Sequence, residues 1–214
     1  MLLRALVGVC VLACATEAQA ARVLPHDECS TSPSFGTFYR HFKEVVARRD
    51  AKALIALIPA KHASMDFGGS DRKAFIANWK LDRGAKSSIW DELSYVMKLG
   101  CARTAGGFIS PYLFVHTSAT RCESTDPGDT VISIGNQTLR AAPRDRSQAV
   151  RTLKWDVLYM DYGRPWPKGW RVVRDEAGTK GFIPVDAIYG GLDYRAAFTK
   201  ANGRWALTFF GGGD

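Results

Sequence analysis

Residues 194–210 read YRAAFTKANGRWALTFF. Tyr194, Ala196 and Phe198 occupy every second position, Asn202-Gly203 follows, and Trp205, Leu207 and Phe209 resume the alternation. A period of two is the pattern of a half-buried strand. Asn-Gly between two such runs is the strongest short hairpin signal, because both turn residues tolerate positive φ. The segment therefore predicts two antiparallel strands with Tyr194, Ala196, Phe198, Trp205, Leu207 and Phe209 on one face.

Upstream of this hairpin, β patterns continue back to Val131. Leu153, Trp155, Val157 and Tyr159 alternate and predict a single half-buried strand, and Trp170–Val173 and Gly181–Ile183 predict two more short ones. Residues 117–130 are rich in Ser, Thr, Asp, Pro and Gly and read as a linker. The character before the linker is helical. Phe35, Phe38, Tyr39, Phe42, Val45 and Val46 form one apolar helical stripe, with Ser32-Pro33 as its expected start and Arg48-Arg49 suited to its C-terminal end. Asp50 is placed to cap a second helix carrying Leu54, Ile55, Leu57 and Ile58, which Pro59 stops. A turn at Gly68-Gly69 precedes a third helix with Phe75, Ile76 and Trp79. Ser88-x-x-Asp91 has the form of a capping box for a fourth, with Trp90, Leu93, Val96 and Met97, and Gly100 as terminator. Phe108-Ile109 and Tyr112–Val115 read as strand. The fold class expected is α+β, with about four helices in residues 21–127.

Residues 1–20 read MLLRALVGVCVLACATEAQA, with Arg4 before an apolar run and Ala18-Gln19-Ala20 as a small-x-small cleavage site. This is the layout of a secretory signal peptide. Its apolar run of about 11 residues is short of the ~20 a membrane span needs, and no later stretch is longer. Val11-Leu12-Ala13-Cys14 also resembles a lipobox, so two products are expected as alternatives: a soluble periplasmic or secreted protein, or a lipoprotein anchored at Cys14. Beyond the leader stand Cys29, Cys101 and Cys122, an odd count that suggests one bridge and one free thiol. Cys101 and Cys122 flank one predicted strand segment and are the preferred pair, with Cys29 pairing to either one left open.

The 29 basic and 21 acidic residues give a net charge of +8. Residues 21–127 carry 15 basic and 11 acidic side chains, and residues 128–214 carry 13 and 9, so the surplus is spread evenly. A nucleic-acid binder concentrates its bases in a stripe or tail, so this distribution speaks against that partner and for a general attraction to anionic surfaces.

Thr138-Leu139-Arg140-Ala141-Ala142-Pro143, then Ser147, Val150 and Leu153, then Gly169-Trp170-Arg171-Val172-Val173, and finally Gly178 with Gly181-Phe182-Ile183 follow one another in residues 131–189. In order and spacing they resemble bacterial Src-homology-3-like (SH3-like) domains. The resemblance implies a small β-barrel over residues 128–190, closed around one apolar layer, followed by the hairpin in 191–214. Lys154-Trp155-Asp156 stands where the family has a Gly turn. The flanks resemble nuclear-transport-factor-2-like domains: a helix ending in Arg49-Asp50-Ala51, a short second helix, and a terminal Gly-Arg-Trp strand. In that arrangement the barrel is inserted in a cone-shaped α+β host, and the hairpin packs on the helices. The chain as a whole also resembles uncharacterised exported bacterial proteins.

No catalytic constellation is visible. Cell-wall cysteine peptidases that carry such barrels begin a helix with Asp-Cys-Ser-Gly, whereas Asp27-Glu28-Cys29-Ser30 lacks the Gly and a matching His strand. His26, His41, His62 and His116 form no zinc spacing, and no Cys-x-x-Cys exists. No cofactor, metal site or enzyme activity is expected. The most suggestive surface feature is the run Tyr159–Pro167 with Lys168, which falls between two predicted strands. Tyr162, Trp166 and Trp170 are the candidate ligand contacts, since Tyr and Trp offer large rigid contact area; the alternative for Trp166 is that it plugs the end of the barrel. The function expected is a non-enzymatic binding module of the cell envelope, taking a cell-wall peptide, a peptidoglycan component or an envelope protein. The alternatives are a small-molecule pocket, catalytic or not, among Phe38, Phe42, Trp79, Trp90 and Trp205 of the host domain, or a structural envelope role.

Overall fold

Helices and antiparallel sheets share the chain in the computed structural model, which describes residues 21–60, 71–119, 128–163 and 165–213. The leader, the Gly68-Gly69 turn and Cys122 lie outside the described residues. The elements are α1 (Gly36–Ala47), α2 (Ala51–Ala56), α3 (Arg72–Asn78), α4 (Ile89–Lys98), β1 (Ala102–Thr104), β2 (Gly107–Ser110) and α5 (Tyr112–Ala119). They continue with β3 (Thr130–Ser133), β4 (Asn136–Arg140), β5 (Ala149–Lys154), β6 (Val157–Met160), β7 (Trp170–Arg174), β8 (Lys180–Pro184) and β9 (Ile188–Gly190). The hairpin of β10 (Arg195–Ala201) and β11 (Arg204–Gly211) comes last. No helix among the described residues is long and apolar enough to cross a membrane.

The hairpin turns where the sequence requires, with φ of 51° at Asn202 and 77° at Gly203. Its apolar face differs by one residue from the expected alternation. Ala197 pairs with Phe209 but Phe198 pairs with Leu207, so Thr208 is a bulge residue. A bulge shifts the side-chain alternation that follows it. Phe210, 1% exposed, therefore enters the core instead of Phe209. β10 also pairs with β2, giving a four-stranded antiparallel sheet ordered β1-β2-β10-β11. The helices cover this sheet. Phe35, Tyr39, Phe42 and Val45 of the α1 stripe are fully buried, and the Phe35 ring stacks on Phe108 at 4.2 Å and meets Phe198 at 5.4 Å and Trp205 at 5.0 Å. Trp205 Nε1 donates to the Ser34 carbonyl at 2.6 Å, and Leu207 N to the Leu57 carbonyl at 2.9 Å, fastening β11 to both ends of the first helix pair.

Local signals in the helices hold in part. Asp50 accepts from Ala53 N at 3.0 Å and caps α2 as expected. α1 starts at Gly36 rather than at Ser32-Pro33, because Ser32 is buried in a preceding turn whose carbonyl takes the Gly36 N–H at 2.8 Å. Ser88 makes no side-chain cap; the neighbouring Ser87 Oγ accepts from Ile89 N at 3.3 Å and donates to the Trp79 carbonyl. Tyr112–Val115 is helix, not strand. Pro111 has no N–H to extend the β2 ladder, and its carbonyl accepts from Phe114 N at 3.2 Å to begin α5.

The second sheet has seven strands in the order β5-β4-β8-β7-β6-β3-β9. The ladder contains no pairing between β5 and β9, so the closed barrel expected from the resemblance is not found. The expected strand over 153–159 is two strands. Trp155 has a φ of 58°, which breaks the extended backbone at the place where the family has Gly. The break is held by Asp156, fully buried, which accepts from Lys154 N and, at 2.8 Å, from Arg151 Nη2. Arg151 Nη1 pairs in turn with the buried Asp175. One guanidinium thus compensates two buried carboxylates, with Arg22 Nε 3.8 Å from Asp156 as a second cation.

The seven-stranded sheet has a joint with the helical half. Val23, Leu99, Leu113, Ile132, Val157, Tyr159 and Tyr189 form one cluster, drawn from β3, β6 and β9, from the end of α4 and α5, and from the N-terminal segment. Residues 21–29 form a strap across this joint. Val23 N donates to the Trp155 carbonyl at 3.0 Å, and Cys101 N to the His26 carbonyl at 2.8 Å. Cys29 is then bonded to Cys101, with their Cα atoms 5.7 Å apart. This corrects the expected Cys101–Cys122 pair: the strap lies alongside Cys101 in a parallel bridge, while α5 intervenes between Cys101 and Cys122. A crosslink over a separation of 72 residues stabilises by about 4 kcal/mol in the chain-entropy picture.

Two substitutions test these supports. A Cβ at Gly107 would lie 2.1 Å from the Phe198 carbonyl oxygen, whereas one at Gly106 meets nothing within 4 Å. Gly107→Ala is expected to cost about 3 kcal/mol, at the upper end of overpacking, and Gly106→Ala under about 1 kcal/mol, read from urea midpoints at constant m. Arg151→Ala strands two buried carboxylates and is expected to cost about 3–5 kcal/mol in the same measurement; a loss under about 1 kcal/mol would mean that the network does not hold the Trp155 break.

Candidate binding cleft

The loop between β6 and β7 folds back on itself. Asp161 Oδ1 accepts from Gly163 N at 2.9 Å, and the Asp161 carbonyl accepts from Trp166 Nε1 at 3.0 Å. These bonds bring the Tyr162 and Trp166 rings to 5.1 Å at an angle of 43°. The Tyr162 hydroxyl donates to the Gly128 carbonyl at 3.1 Å, which fixes the loop to the start of β3. On the other side, the Arg171 guanidinium lies over the Trp166 ring, 4.7 Å from its centroid. Trp166 is half-buried at the edge of a cleft of about 270 Å³ and is not part of the apolar core between the strands, so it does not plug the sheet.

Val131, Met160 and Ile188 contribute apolar surface to this cleft, and Tyr162, Val185 and Leu192 stand around it. Tyr162 is 56% exposed, Val185 38% and Leu192 42%; three of the five large exposed hydrophobic side chains among the described residues meet at this one place. The volume is just below the ~300–1,000 Å³ of pockets for drug-sized ligands, which suits one or two side chains of a longer ligand. Of the sequence candidates, Tyr162 and Trp166 are brought together here. Trp170 is not a lining residue; it pairs with Pro184 on β7 and β8, one position away from Arg171.

Sequence reasoning missed Arg171, Val185, Leu192 and Asp193, which complete the cleft. Arg171 stands at a variable position of the Gly-Trp-x-x-Val strand pattern, which carries no signal of its own. Leu192 carried a weak signal, an apolar residue between Gly190-Gly191 and Asp193 where no strand needs it. Asp193 holds the Gly190 N–H at 2.7 Å with Oδ2. Burial pushes its carboxyl above the ordinary value, against the opposing pull of that hydrogen bond and of the Arg171 charge. The Tyr95 phenol and the Glu92 carboxyl of α4 are likewise pushed up, chiefly by burial, with Asp193 adding to both. Asp193 thus lies within electrostatic range of α4.

A second, larger groove of about 1,210 Å³ runs between the end of α2 and the β10–β11 hairpin. Of the five aromatics considered for a host-domain pocket, only Trp205 lines it; Phe42 and Trp90 are fully buried, and Phe38 and Trp79 pack against the same core. No group of three or more His, Cys, Asp or Glu side chains that could hold a metal ion occurs among the described residues.

A carboxyl whose folded pKa is raised binds its proton more tightly when folded, so its contribution to stability falls as pH rises through the folded value. Asp193→Asn is accordingly expected to stabilise the protein at pH 7, by under about 1 kcal/mol because the side chain reaches water. The gain should vanish below the unfolded carboxyl value of about 3.9. Chemical denaturation at pH 3, 5 and 7 measures it, and a gain that grew on acidification would contradict the assignment. The chain matches no family model, no curated protein and no solved structure.

Proposed function

We propose that this protein is a non-enzymatic binding module of the cell envelope that recognises a peptide or peptidoglycan component through the cleft of its seven-stranded sheet. The observation that carries this is the convergence of Tyr162, Val185 and Leu192, all exposed, beside the Trp166–Arg171 stack. Aromatic side chains and Arg are the residue types that dominate protein recognition sites. The SH3-like reading is supported by the positions of its motifs. Gly169 and Gly178 take positive φ at the turns before β7 and β8, and Gly181-Phe182-Ile183 lies within β8. Export to the periplasm or beyond, as a soluble or Cys14-anchored product, rests on the leader sequence. The Cys29–Cys101 bond suits an oxidising compartment.

The test is co-sedimentation of the purified protein with insoluble peptidoglycan. Removing two central aromatics costs about 2 kcal/mol or more in typical interfaces, so the Tyr162→Ala, Trp166→Ala double variant should bind at least about 30-fold more weakly. Its circular dichroism should stay that of the parent. Equal retention of the folded double variant and the parent would remove the proposal.

A further inference from the structure

The cleft holds two opposite charges that do not satisfy each other. Arg171 donates from Nη1 to the Trp170 carbonyl at 3.1 Å and lays its face on Trp166. Asp193 gives one carboxylate oxygen to Gly190 N. Both line the cleft, and the Arg171 charge is felt at Asp193, yet neither forms an ion pair among the described residues.

Each group keeps unused capacity of a defined kind. A guanidinium stacked on an indole spends its π face, while its in-plane N–H edge remains available to a carboxylate in the bidentate manner. A carboxylate has about four acceptor positions, and Asp193 uses one of them on Gly190. A partly desolvated charge without a counter-charge is costly, so a ligand that supplies both counter-charges gains on both sides. Its apolar portion meets Tyr162 and Leu192.

Resting on the reading of the cleft as a peptide site, we infer that it selects a zwitterionic end group, with an ammonium against Asp193 and a carboxylate against Arg171. In a cell-wall peptide the matching chemistry is a diamino-acid residue that keeps a free amine and a free carboxylate at the same end. An uncharged stretch of peptide would leave both Asp193 and Arg171 uncompensated.

The experiment uses three synthetic forms of one tetrapeptide containing such a diamino acid: the free form, the form acetylated on the side-chain amine, and the form amidated on the side-chain carboxylate. Binding to the intact protein is followed by calorimetry. Each cap should weaken binding by at least about tenfold, the scale of one charge-assisted hydrogen bond. Asp193→Asn should erase the penalty of acetylation and keep the penalty of amidation. Equal affinity for all three peptides overturns the inference and leaves the peptide site standing. Failure of all three to bind while peptidoglycan is still retained also overturns it. Uniform weakening of the three by Asp193→Asn, with the acetylation penalty intact, assigns Asp193 a structural role and overturns it as well. Failure of both the peptides and the peptidoglycan to bind removes the underlying reading too.

Discussion

The pairing of β10 with β2 is the constraint from which the architecture follows. Ser110, Ile109 and Phe108 face Ala196, Ala197 and Phe198, so the chain that leaves β2 must come back to its own side. Everything between them, α5 and the seven-stranded sheet, is an excursion that starts and finishes at one place. The pairing is close because Gly107 has no side chain to hold the Phe198 carbonyl away. The aromatic core then fixes what lies beneath. Phe198 contacts Phe35, Phe38, Tyr39 and Phe42 from above the sheet face, so one strand serves both the ladder and the helical layer.

The same return path sets the cleft. The segment from β9 to β10 crosses from one sheet to the other, and Gly190, Gly191, Leu192 and Asp193 lie on it. One side of the cleft is this crossing; the other is the Tyr162–Trp166 loop of the inserted sheet. The cleft thus stands at the joint, next to the shared cluster of Ile132, Val157 and Tyr189. The strap of residues 21–29 and its bond to Cys101 hold that joint from the opposite end of the sequence.

What was legible in the sequence depended on whether the deciding interaction was local. The Asn202-Gly203 turn, the Asp50 cap and the α1 stripe are set within a few residues, and they formed. The failures share a different origin. The run at Tyr112–Val115 has strand-forming residues, but Pro111 and burial of Leu113 against the second sheet make it helix. The alternation through Trp155 is real in sequence, but the buried Asp156 breaks it, held by an Arg151 that also pairs with Asp175 from beyond β7. Phe210 replaces Phe209 because of a bulge that no composition rule marks. Half of the cleft, Tyr162 and Trp166, was visible because aromatics in a loop stand out. Arg171 and Asp193 were not, since a charge looks alike whether it faces water or a counterpart 22 residues away in sequence.

The hairpin that completes the first sheet also sets the timing of its assembly. Phe108 and Phe198 are 90 residues apart, and closing a loop of that length costs about 4 kcal/mol of chain entropy before any contact rewards it. The helices and β1–β2 emerge from the ribosome long before β10 does, with Phe35 and Phe108 lacking their partner strands. During that interval the helical half has no finished core.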